Sequence, residues 1–415
     1  MIQSNKRIVF LLVFAALGVI AIRNFFLLSK DMIHGDLSGE AVFPQAMYGF
    51  FRIPDRANTI AHNAVNRLAA DFAQVYFPSQ EFSSLSDNYE TGVFDPWWRP
   101  SRYAPVIHYI CAITICRLDY GYASFIHMLV QLILFYLFYV MAFKMLEIEE
   151  DLPLGLAITS LFLFATPAGL SWFERGQFSL YVGLSHLLLI VGLIKNRLPL
   201  IVLSAFLGYV KWTSFPFLFV ILAIYWLGAQ NAKDVIGNTQ KVLTYLLVIL
   251  ILSLAFRSRF LHFIEGLYWQ EIHAQPEGIS LTRLLPATLV KWLPLALIVI
   301  GYFHLRRSER GFAGLPVVFT GMGILMLTYP TIAHEYNLPS LFGFIPLIFH
   351  WAKPSTLLRQ IVKYSFLSFI LLASFSNYFK PAIHESGVLI GYLAAAILFL
   401  ALPLIREDKT AYART

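Results

Sequence analysis

Charge is scarce in this chain. Of 415 residues only 13% are Asp, Glu, Lys or Arg, against roughly 25% in soluble domains. The deficit runs along the whole length, which argues against a soluble enzyme and against a single anchored domain. Cysteine is scarcer still: Cys111 and Cys116 are the only two. Five apart in a short apolar segment, they offer neither metal spacing nor a disulfide framework, and they read as two small apolar residues on a helix. The HEYN run at His334 lacks the second histidine of an HExxH zinc site. His34, His62 and His108 show no ligand spacing, and no carboxylate cluster suits a metal, so neither a metal nor another cofactor is expected. No cleavage pattern follows the first apolar run, which reads as a retained span. The formal charge of +7 forms no patch and no RNA-binding motif, so nucleic acid is not an expected partner.

Apolar sequence is what the chain has in abundance. Hydrophobic residues make up 58% of it, aromatics 16%, and Phe alone occurs 37 times; the mean hydropathy is +0.67. Runs long enough, or nearly so, for a membrane span of about 20 residues lie near 8–28, 120–144, 152–172, 178–194, 198–211, 213–228, 242–256, 291–305, 314–331, 337–352, 360–379 and 387–405. The expectation is an all-α integral membrane protein of about twelve spans in one polytopic domain covering 1–415. With Lys6 and Arg7 inside, each inner loop is basic: Lys144; Lys195 and Arg197; Lys233 and Lys241; Arg306, Arg307 and Arg310; Lys353, Arg359 and Lys363; then the tail with Arg406, Lys409 and Arg414. This is the positive-inside pattern. The apolar segment 104–117 is too short to span and would invert every later loop, so it reads as an interfacial or re-entrant helix on the outer side.

The longest polar stretch runs from Lys30 to Arg102, within a first outer loop of 29–119. A loop of this length in a compact membrane protein is usually functional. It opens with KDMIHGDLSGE, placing Asp31, Asp36 and Glu40 near a membrane exit, and closes with DPWWRPSRYAP. Within it, 57–76 has helical spacing of Ile60, Ala64, Leu68 and Phe72, predicting a helix on the membrane surface. The same topology collects Asp36, Arg102, the ERGQ run at 174–177, Lys211, the loop around 257–290 and the HEYN run at 334–337 on the outer side. Ionisable groups near a helix centre cost up to ~3 kcal/mol each, which makes them candidates for function. Each also has a plainer reading. Asp36 can be a solvated loop acid, Arg175 and Lys211 snorkelling anchors, His334 and Glu335 an interfacial pair, and Trp97, Trp98 and Tyr103 members of an aromatic belt.

At these residues the chain resembles the polyprenol-phosphate-sugar-dependent transferases of the GT-C superfamily, and most of all family eighty-seven of the glycosyltransferases, which includes bacterial mannosyltransferases. The resemblance covers about residues 30 to 352. GDLSGE supplies the acid of the first outer loop at Asp36. RYAPV, with Tyr103 and Pro105, is similar to a Tyr-Pro-Pro element but has Ala104 between them. ERGQFSLYVGL is similar to an Arg-x-Gly-Gln element. YVKWTSFPFL keeps Lys211, Thr213 and Pro216 of a Lys-Pro-Thr-Pro element, with Trp212 as a departure. ISLTRLL, with Ser280 and Arg283, and AHEYNLPSL complete the series.

The resemblance implies a GT-C bundle whose long first outer loop carries interfacial helices. It implies an inverting enzyme of a bacterial cytoplasmic membrane, acting on its periplasmic or extracellular side. The sugar, a hexose or pentose with mannose favoured, would pass from a polyprenyl-phosphate donor to a lipid or glycan acceptor. The acceptor hydroxyl needs a base, for which Asp36 is the candidate, with Asp31 the alternative. The leaving phosphate needs preorganised cations; Arg175 and Lys211 are the candidates, with Arg102 and His334 in support. Gln177, Tyr103, Glu335, Tyr336 and Arg283 are candidates for holding the substrate. A transporter or flippase for lipid-linked glycan is the main rival, although no internal repeat of the kind common in transporters is evident. An O-antigen ligase would carry its large outer loop late in the chain, and a membrane O-acyltransferase its paired histidine signature.

Overall fold

The computed structural model describes residues 2–34, 69–80, 101–257, 259–261, 263–264, 267, 276–308, 310–330, 332–353 and 356–404; within these, only the backbone is described for 2–13, 31, 34, 70, 277, 332, 335–336 and 377–383. The described residues are almost all helical. The helices are α1 (Ile2–His34), α2 (Ala70–Gln80), α3 (Pro105–Ile113), α4 (Tyr120–Met145), α5 (Leu152–Ala165), α6 (Pro167–Glu174), α7 (Ser179–Ile194), α8 (Leu198–Val210), α9 (Phe215–Leu227) and α10 (Ala232–Ala255). They continue with α11 (Ala287–Val290), α12 (Leu293–Arg307), α13 (Pro316–Leu327), α14 (Phe344–Ala352), α15 (Leu357–Ser374) and α16 (Ser376–Ala401). Two two-residue strands, β1 (Glu277–Gly278) and β2 (Ile332–Ala333), pair in parallel.

The chain is thus a helical, multi-pass membrane protein, but the described residues do not form twelve full spans. Five described helices are long and apolar enough to cross a membrane: Tyr120–Met145, Ala232–Ala255, Ala287–Arg307, Leu357–Ser374 and His384–Leu404. The number rises to 7 if two sharply bent pairs each count as one span. The run 8–28 lies within the 33-residue α1, whereas other apolar runs fold into helices too short for a bilayer core of about 30 Å. α13 has 12 residues and α14 has 9. The reason is local chemistry. The run 152–172 breaks at Thr166, whose side chain caps α6 by accepting from the Gly169 N–H, with Pro167 at the first turn. A side chain at Gly169 would strike the Phe162 and Leu163 carbonyls, so the 70° bend requires a glycine there. The Asn24 amide of α1 donates to the Phe164 carbonyl at 2.7 Å, satisfying a backbone group near the break. The run 198–228 breaks at Lys211 with a 119° change of direction. Ser214 Oγ donates to the carbonyls of Lys211 and Gly208 there, and Pro216 starts α9.

α7 is the axis of the core: every residue from Ser179 to Leu193 is buried. Glycine lets a neighbour approach it closely, since a Cβ on Gly183 would lie 2.8 Å from the Ser340 carbonyl oxygen. α10 is the opposite case. Leu243, Ile251 and Leu254 are 58%, 56% and 60% exposed, and an apolar helix bare on so many sides suits hydrocarbon rather than water.

Two sequence expectations need correction here. The helix expected over 57–76 on the membrane surface is, where described, α2 over Ala70–Gln80, and it is not superficial: Phe72, Ala73, Gln74 and Val75 are all buried. Residues 57–68 lie outside the described set. The cysteines do pair. Cys111 and Cys116 form a disulfide, with Cα atoms 4.9 Å apart. In an unbroken helix, five positions place two residues on different faces. Here α3 ends at Ile113, Thr114 leaves helical geometry, and the 3₁₀ turn Ile115–Arg117 brings Cys116 back beneath Cys111.

Candidate functional site

The site is built on the ERGQ turn. α6 ends at Glu174, and Gly176 adopts φ +63°, a conformation that favours glycine. The Gly176 N–H donates to Phe173 O at 3.0 Å and the Gln177 N–H to Trp172 O at 3.1 Å, closing the α6 C-terminus as a Schellman motif. The turn is also a dock. Ala69 N–H donates to Glu174 O at 2.6 Å and Asp71 N–H to Arg175 O at 2.8 Å, so the start of α2 is hydrogen-bonded to it. A Cβ on Gly176 would lie 2.9 Å from the Ala69 Cβ. α4 closes the other side. Tyr120 Oη donates to Ala69 O at 2.8 Å, Gln131 Nε2 donates to Gln177 O at 2.8 Å, and the His127 ring stacks on Phe72 at 4.6 Å.

This docking brings together side chains from four distant stretches. Asp71 Oδ2 accepts from Arg175 Nε at 3.0 Å and from Gln177 Nε2 at 2.6 Å. The other end of the Gln177 amide, Oε1, accepts from Lys211 Nζ at 2.7 Å and from the Phe178 N–H at 3.3 Å. Lys211 Nζ also donates to Asn337 Oδ1 at 2.9 Å. Asn337 is held in turn by its N–H to the His334 carbonyl at 3.0 Å. The result is a hydrogen-bonded chain, Arg175–Asp71–Gln177–Lys211–Asn337. Arg102 lies within electrostatic range of Lys211, and the buried Arg259 within range of His108. His108 itself, on α3, has Nε2 2.8 Å from Ser101 Oγ and 3.2 Å from the Gln74 carbonyl. Burial pushes its imidazole down to about 3 against the pull of the Gln74 carbonyl, and Arg259 adds to the lowering. His108 is therefore a neutral strut between α2 and α3.

The structure joins Gln177 and Lys211 directly, links Arg175 to them through Asp71, and sets Arg102 within electrostatic range of Lys211. His334 stands at the start of the 3₁₀ turn Glu335–Leu341, one turn before Asn337, and is partly buried. Tyr103 is 4% exposed with its ring 4.3 Å from Phe178; it packs into the core rather than offering an open face for a sugar ring. Arg283 forms an ion pair with Glu385 and donates to Gly278 O at 3.2 Å, bracing the β1 turn against α16 rather than joining the chain of polar contacts. Asp36, and the Asp31, Glu335 and Tyr336 side chains, lie outside the described residues.

Two residues at the heart of the site were not singled out from the sequence, Asp71 and Asn337. Asn337 sat in plain view within HEYN. Asp71 lies inside the 57–76 stretch, whose helical spacing was read from its apolar positions alone. The available signal was its setting in LAADFAQV, where small and apolar residues flank it too densely for a solvated face.

No family model, curated protein or solved structure matches the chain.

Proposed function

We propose that this chain is a membrane glycosyltransferase that takes a sugar, a hexose or pentose with mannose favoured, from a polyprenyl-phosphate donor and passes it to a lipid or glycan acceptor, inverting the anomeric centre. The observation that carries this reading is the gathering of Arg175, Lys211 and Arg102 at one end of the bundle, around the ERGQ turn and the Lys211 break. A lipid-linked sugar presents a phosphate whose charge grows as the glycosidic bond breaks. Cations fixed in advance stabilise that charge without reorganising. Arg175 supplies a planar fork and Lys211 a point charge; His334 stands a turn from Asn337 as a further donor. Gln177 joins Asp71 to Lys211 and so orients the cations, a role beside any contact with substrate. Asp36 is assigned the base that takes the acceptor proton, worth about 10²–10⁴-fold in rate. The sequence resemblance, rather than the fold, supplies the sugar, the inversion and the bacterial cytoplasmic membrane. The Cys111–Cys116 disulfide adjoins α2 through α3. Disulfides persist in oxidising compartments, which supports a site on the periplasmic or extracellular face.

The bent pairs favour a second reading, transport or flipping of a lipid-linked glycan, because broken helices with polar residues at the break are a transporter feature. One experiment separates the two. Purified protein in nanodiscs is incubated with a panel of polyprenyl-phosphate sugars and candidate acceptors. Acceptor-dependent release of polyprenyl phosphate, abolished in Asp36→Asn without loss of folded protein, supports the transferase. Translocation of donor across proteoliposomes with no chemical turnover overturns it.

A further inference from the structure

The contacts of Lys211 have an unusual composition. Its ammonium, set at a break between two apolar helices, is bonded to two amide oxygens, Gln177 Oε1 at 2.7 Å and Asn337 Oδ1 at 2.9 Å. A carboxylate is close by, but Gln177 stands between them. Its Nε2 donates to Asp71 at 2.6 Å while its Oε1 accepts from Lys211. The amide is polar end to end, so the charges on either side dictate which way it points. A Glu at 177 or an Asp at 337 would satisfy the lysine by shape and would also neutralise it.

We propose that the neutral amides of Gln177 and Asn337 determine the specificity of this site: they seat Lys211 by oxygen while holding it off the Asp71 carboxylate, so that its charge is kept for the phosphate of a lipid ligand. The ammonium has three N–H donors, and the two amides take two. The third is the group that meets the phosphate. The argument rests on the glycosyltransferase reading for the identity of the anion. It extends that reading by naming the residues that make an anion preferred over an uncharged lipid of the same tail.

The test is a binding measurement on the full-length protein in nanodiscs, using a polyprenyl phosphate and the matching uncharged polyprenol as probes. The wild type is expected to prefer the phosphate, with an affinity that falls as salt rises. Asn337→Asp puts a carboxylate against Lys211 and is expected to lower phosphate affinity about tenfold or more, to flatten the salt dependence, and to leave polyprenol binding unchanged. Gln177→Ala removes the spacer, lets Lys211 close on Asp71 and shifts preference the same way; it decides the matter if the first variant fails to fold. Wild-type phosphate affinity in a folded variant overturns the proposal. So does equal loss of both lipids, which marks a structural role. A wild type that does not distinguish the two lipids fails the glycosyltransferase reading itself, whereas a discriminating wild type with indifferent variants fails this inference alone.

Discussion

The two ends of α7 carry polar clusters of different construction. At its N-terminal end Asp71 pairs with Arg175 at 3.0 Å, but Lys211 is kept off that carboxylate by the Gln177 amide and, among the described residues, meets no acid directly. At its C-terminal end, opposite charges meet directly. Lys195 pairs with Glu147 at 3.2 Å and Lys363 with Asp151 at 3.1 Å. His350 faces Leu146 O at 2.9 Å and Lys353 donates to Glu147 O. Lys363 also lies 3.9 Å from the Phe349 ring centre. Direct pairs tie the α4–α5, α7–α8 and α14–α15 connections together and leave little charge over. The spaced cluster retains its charge at a cost in stability, which is the mark of a place where a ligand completes the arrangement.

Removing Asp71 should produce the largest effect. Asp71→Ala leaves Arg175 and Gln177 without their shared acceptor, a loss of about 3 kcal/mol for a largely buried pair. The denaturation midpoint of the detergent-solubilised protein measures it, and a shift no larger than that of a surface mutant dissolves the distinction between the ends. Gly176→Ala comes next. It forces a side chain into a left-handed backbone and against Ala69, an expected cost of about 1–2 kcal/mol, and it should expose the start of α2 to limited proteolysis. At the opposite end, Lys363→Met loses the Asp151 pair and the ring contact. About 1 kcal/mol is expected with no change in lipid-phosphate binding; a binding defect would join the two ends into one functional unit. The smallest effect is on acidification. The hydrogen bond and charge of Lys195 hold the exposed Glu147 carboxyl below its usual range. Its contribution is therefore complete above the unfolded carboxyl pKa and is lost as pH falls through the lower folded value. Comparing Glu147→Gln with wild type by thermal melts at pH 7 and pH 3 should show a slight difference at the higher pH that closes at the lower.

Much of this contrast was legible in the sequence. The basic loops at Lys144, Lys195 and Lys353 were assigned to one side from the charge alternation, and their neighbours do meet. ERGQ, Lys211 and the HEYN run were assigned to the other, and Gln177, Lys211 and Asn337 touch. Both assignments rest on local composition, which hydropathy reads well. What stayed hidden depends on chain reversal. The disulfide required a helix to stop at Ile113, and the short helices required bends at Thr166 and Lys211 that an apolar run does not announce. Asp71 was hidden because its partners lie more than a hundred positions away. The contacts of Arg283 with Glu385 and of Tyr103 with Phe178 were hidden for the same reason, since both partners come from distant parts of the chain.

The length of α7 sets a further condition on the surroundings. Its 16 residues rise about 24 Å, less than a typical hydrocarbon thickness of about 30 Å. Charged groups gather at both tips, and the helix is sheathed by protein from Ser179 to Leu193, so a crossing by α7 leaves at least one tip beneath the headgroup level, inside the protein rather than against lipid. A lipid phosphate reaching Lys211 would then be drawn down several ångströms from its resting plane, and thicker bilayers should make that descent harder.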